Sequence, residues 1–101
     1  MTDPKEISDP TPRFDAAKAA GAPEVYFNGF AVAISSGDIS VVLERNQTPV
    51  TVLNLSYTVA KTLALSLGSV IGALEEIAQQ QMLTTHELDK KMAEHQERNS
   101  Q

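Results

Sequence analysis

"EVYFNGFAVAISSGDISVVLERNQTPVTVLNLS", residues 24–56, is the stretch whose reading decides the fold. At its N-terminal end, alternate positions read Tyr26, Asn28, Phe30, Val32 and Ile34, and the intervening positions read Val25, Phe27, Gly29, Ala31 and Ala33. Large residues alternating with small ones predict a strand buried on one face and closely packed on the other. Ser35-Ser36-Gly37-Asp38 supplies turn residues, and Ile39 to Arg45 resumes the alternation with Ile39, Val41 and Leu43 on one side. So short a connection makes a hairpin. Asn46 to Pro49 is the next turn and Val50 to Leu55 a third strand, with Pro49 where it removes no ladder bond. The expectation is a three-stranded, or larger, antiparallel meander.

C-terminal to the meander the period changes. Ser56 is a good N-cap, and from there to about Gln81 there is no proline. Leu63, Leu67, Val70, Leu74 and Ile77 are spaced four, three, four and three, one stripe of a long helix suited to cover the sheet. Beyond the Gln-rich stretch, Thr84 and Glu87 form a capping-box pattern that opens a shorter helix, with Glu87 four residues before Lys91 and Glu94 four before Arg98. The predicted class is therefore α+β in the order β-β-β-α-α. Residues 24–82 form the meander-plus-helix domain, and residues 83–101 a short helix and tail.

N-terminal to the meander, residues 1–23 hold four of the five prolines and only Ile7 and Phe14 as bulky apolar residues. They read as a disordered tail, with a short helical turn as the alternative around Phe14 to Gly21.

The long helix carries a second pattern. Ala60, Ala64, Gly68 and Gly72 are each four apart, a smooth row beside the apolar stripe. A glycine in a helix costs about 0.5–1 kcal/mol relative to alanine, so two of them call for a reason. Close approach of another backbone is one, and pairing of two such rows favours a crossing near −50°. The approaching element is either the chain's own sheet, where Gly29, Ala31 and Ala33 are also small, or the same helix of a second copy about a two-fold axis. The width of the apolar arc and the small size of the core favour the second copy.

Composition narrows the function. A 101-residue chain has room for one core. Its net charge of −5 argues against nucleic acid or an acidic membrane surface as partner. The absence of cysteine fits a reducing compartment, and without a basic-then-apolar leader the expected location is cytoplasmic. The uncharged run from Thr62 to Leu74 is thirteen residues, too few for a span of about 20. No membrane partner is therefore expected.

Chemistry is sparse. His86 and His95 lie nine apart on one helix, about 180° from each other, so they cannot share a metal within one chain. His95 falls on the side of Leu88 and Met92 and reads as a partly buried packing residue. The acids sit on polar helix faces, no glycine loop precedes a Lys-Ser or Lys-Thr, and Gly68 to Gly72 lacks the spacing of a nucleophile elbow. No catalytic residue, metal or cofactor is expected. Asn28 stands out as a polar residue on an apolar face. A buried amide must be hydrogen-bonded, either to a bulge or turn beside Gly29 or to a ligand or partner.

The run Val25 to Leu43, a turn, a further strand, and Leu55 to Ile77 resembles a family of short bacterial and phage proteins known only as a domain of unknown function. The likeness rests on a Tyr-x-Asn strand motif, a Ser-rich turn, an aliphatic strand and an Ala-Lys pair near the helix start. These fall here on Tyr26, Asn28, Ser35, Ala60 and Lys61. Ser56-Tyr57 departs from the Thr-Pro helix start common there. The resemblance implies the β-then-α layout and supplies no activity. The layout is also similar to that of the SecB export chaperones, which are acidic homo-oligomers with strands first, a long helix next and a short helix last.

The leading expectation is a non-enzymatic homo-oligomeric adaptor or scaffold that binds another protein, with Phe14, the strand edge and the outer helix as contacts. A SecB-like holdase would need an exposed apolar groove lined by Tyr26 and Phe30. A small-molecule binder would use a pocket between subunits lined by Tyr26, Asn28, Arg45 and Lys61.

Overall fold

The computed structural model describes residues 9–99. The elements are α1 (Thr11–Ala19), β1 (Gly29–Ile34), β2 (Ile39–Arg45), β3 (Thr48–Leu55), α2 (Tyr57–Ala78) and α3 (Thr85–Asn99). One three-stranded antiparallel sheet in the order β1-β2-β3 precedes α2 and α3, the α+β class and β-β-β-α-α order expected from sequence. The described residues divide into two compact units, residues 9–33 with 40–53, and residues 34–39 with 54–99.

In the first unit, α1 occupies a stretch read from sequence as tail, of which residues 1–8 lie outside the described residues. Its start is chemically marked. The Asp9 carboxylate accepts from Thr11 N at 3.0 Å and from Thr11 Oγ1 at 2.7 Å, and Pro12 sits in the first turn, where a missing N–H is harmless. Those two bonds hold the Asp9 carboxyl below its usual range. Gly21, at φ +69°, supplies the left-handed residue that ends the segment.

β2 and β3 are joined by two residues, Asn46 and Gln47, with φ of 52° and 70°. Positive φ at both central positions is the type I′ turn that matches strand twist. Asn tolerates that conformation, whereas glutamine is strained in it. Gln47→Gly is therefore expected to raise stability by about 0.5–1 kcal/mol, read as a higher urea midpoint at unchanged slope.

β1 is shorter than the predicted run from Glu24, because its entry is committed elsewhere. Asn28 N donates to Glu44 O at 3.0 Å, its side-chain Oδ1 accepts from Asn46 N at 2.9 Å, and its Nδ2 donates to Asn46 Oδ1 at 3.0 Å. The expected burial of β1 is also absent: Gly29 is half-buried and the other five residues are exposed. Leu43 in β2, 5 % exposed, is the one buried apolar residue among the described residues. Alternation from the two turns places it on the sheet face that also carries Phe30, Val32, Val41, Val50 and Val52.

In the second unit, Ser35 N and Ser35 Oγ both donate to Asp38 O, at 2.9 and 3.0 Å, closing the β1–β2 turn. The Tyr57 hydroxyl donates to Ser35 O, tying the first turn of α2 to that loop. Ser56 caps α2 as expected, its Oγ accepting from Val59 N at 3.2 Å. The helix stops at Ala78, earlier than Gln81, because Gln79 turns left-handed at φ 52°.

The capping box of α3 is present in both directions. Thr84 N donates to Glu87 Oε1, and Glu87 N donates to Thr84 Oγ1, each at 3.1 Å. Hydrogen bonding to the Thr84 backbone N–H, and next to the Thr84 side chain, holds the Glu87 carboxyl below its usual range, with smaller help from the charges of Lys91 and His86. A lowered carboxyl pKa contributes stability above the unfolded value, about 4.3, that is lost as pH falls through the folded one. Helicity of α3 is therefore expected to hold from neutrality to about pH 5 and to fall below that. Glu87→Gln should remove its share of the step, followed by circular dichroism or amide shifts.

Candidate functional site

The feature that stands apart from an ordinary small domain is α2. Of its 22 residues none is buried. The stripe residues Leu63, Leu67, Val70, Leu74 and Ile77 range from 44 % to 81 % exposed. In the unit that holds α2, no surface among the described residues buries the stripe. Each of these side chains, about half in water or, for Ile77, mostly so, would gain at least about 1 kcal/mol on burial. Together that is on the order of 5 kcal/mol, as large as the whole stability of a marginal domain.

The small-residue row runs along the same helix. Ala60 is half-buried, and Ala64, Gly68 and Gly72 are exposed. A Cβ built on Gly68 or on Gly72 meets no atom within 4 Å. Within the unit that holds α2, then, no described residue closes on these glycines.

By length and composition α2 is also the one helix among the described residues long and apolar enough to cross a membrane. Its charges are placed against this. Lys61 sits in the second turn and Glu75-Glu76 in the last, leaving thirteen uncharged residues between them. At 1.5 Å per residue that is about 20 Å, short of a hydrocarbon core of about 30 Å.

The other candidate residues are scattered. Phe14 lies in α1, Tyr26 in the segment before β1 and Phe30 in β1, each about two-thirds exposed. Arg45 ends β2 and is exposed, as is Lys61 in α2. Of the four residues expected to line a pocket, Asn28 has both ends of its amide engaged by Asn46. Its role here is a clamp between the β1 entry and the β2–β3 turn. A shallow hollow lies instead at the α2–α3 junction, lined by Ala78, Gln80, Met82, Leu83 and Leu88. It contains none of those four residues.

His95 is exposed, a correction to the packed position expected for it, because Leu88 and Met92 are themselves about half exposed and form no covered face. Its Nε2 lies 3.0 Å from Asn99 Nδ2. No group of three metal-ligating side chains occurs among the described residues.

Sequence reasoning misses Tyr57, whose hydroxyl holds the Ser35 loop. Compared with protein-family models, with curated proteins and with solved structures, the chain matches none.

Proposed function

We propose that this protein is a non-enzymatic, cytoplasmic homo-oligomer, a dimer or larger, that acts as an adaptor or scaffold by binding another protein. One observation carries the reading: a 22-residue helix with an unburied apolar stripe and a glycine row open to the outside. Apolar area of this kind is stabilising only when covered. A second copy brings the same stripe and the same smooth row about a two-fold axis, so self-association covers both at once. The thirteen-residue limit on the uncharged run disfavours a bilayer as the cover.

The test is the mass in solution by light scattering on a size-exclusion column. A multiple of the 10.9 kDa chain mass supports the reading, and 10.9 kDa overturns it.

A SecB-like holdase is the second reading, favoured by the exposure of Tyr26, Phe30 and Val32. It predicts binding of a chemically unfolded client without preference for sequence and suppression of its aggregation. An adaptor ignores such a client.

A further inference from the structure

β1 has β2 on one side and, among the described residues, no strand on the other. Ser35 pairs with Asp38 at the turn, so alternation aims the N–H and C=O groups of Ile34, Val32 and Phe30 away from β2. The same three side chains are 80 %, 57 % and 63 % exposed. From Gly29 to Ile34 the strand has no charge, no proline and no lysine. Natural proteins blunt a free edge with such residues, because an open row of donors and acceptors templates further pairing.

The opposite edge is blunted. The two-residue turn pairs Arg45 with Thr48, so Pro49 faces outward, where its missing N–H interrupts the row.

We propose that β1 is an interface strand that pairs antiparallel with β1 of a second copy, about a two-fold axis through Val32. This rests on the reading of the chain as a homo-oligomer and identifies which edge joins the copies. The register uses every outward group. Val32 faces Val32 of the partner subunit, and Phe30 faces Ile34 of the partner subunit, an aromatic against a β-branched residue. Shifting by two residues in either direction leaves two such pairs in place of three. Although the chain carries a net charge of −5, no like charges meet across this axis, because β1 is neutral.

The absence of cysteine allows a clean test by cross-linking of the full chain under oxidised glutathione. Directly opposed residues lie about 5.5 Å apart between Cα atoms, within disulfide range. Val32→Cys is expected to form a covalent dimer alone. Phe30→Cys and Ile34→Cys are expected to cross-link when mixed and not separately, since two copies of either position lie about 13 Å apart along the strand. Val32→Pro removes an outward N–H without removing a ladder donor, and is expected to lower the solution mass with the far-ultraviolet spectrum retained.

A wild type of monomeric mass overturns the homo-oligomer reading and this pairing together. An oligomeric wild type with no Val32→Cys cross-link, or with Phe30→Cys linking to itself as readily as to Ile34→Cys, overturns the β1 pairing alone. If Val32→Pro fails to fold, the cross-links decide.

Discussion

Gly68→Leu is expected to weaken association through α2 and lower the mass in solution, with the chain of 10.9 kDa still folded. Within the chain the new side chain meets open space, since even a Cβ there finds no atom within 4 Å. Leucine is also a better helix former than glycine by somewhat under 1 kcal/mol, so α2 should be at least as stable as before. The loss falls entirely on whatever packs against the row. Overpacking costs about 1–3 kcal/mol per site, and a two-fold interface meets the substitution twice. Association should weaken by roughly 30-fold to more than 10,000-fold. Light scattering across a concentration series, with circular dichroism as the fold control, reads this directly. An oligomer of unchanged mass would show that α2 takes no part in joining the copies.

Leu43→Ala should lower unfolding stability by about 2–5 kcal/mol. Leu43 is the one apolar residue among the described residues that is buried from water, and it sits in the central strand of the sheet. A domain of this length has about 5–15 kcal/mol in total, so the variant is expected to be partly unfolded at about 37 °C. Phe30→Ala offers the contrast. With 63 % of Phe30 already exposed, its loss should cost little in a dilute monomer and more at concentrations where copies associate. Urea unfolding at two protein concentrations separates the two effects. Equal midpoints for Leu43→Ala and wild type would mean that the sheet is not held together at Leu43.

Much of the fold is legible in the sequence because its signals are local. Ser35 to Asp38 and Asn46-Gln47 are turn chemistry, Ser56 and the Thr84–Glu87 pair are caps, and each acts within four residues of itself. The Asn28 clamp is half legible: a polar residue on an apolar strand announces a partner, and Asn46 is eighteen positions away with nothing in the spacing to select it. α1 is weakly marked, since its proline-rich setting masks a start set by Asp9, Thr11 and Pro12.

Strand order, the capped starts of α2 and α3 and the apolar stripe of α2 follow from residue type and period, because backbone preference and alternation are properties of short segments. Burial is a property of two surfaces brought together, and spacing along one chain does not say which surfaces meet. Only the tertiary structure decided that Leu43 alone is enclosed among the described residues, that β1 is open along its edge, and that a Cβ on Gly68 or Gly72 would meet nothing.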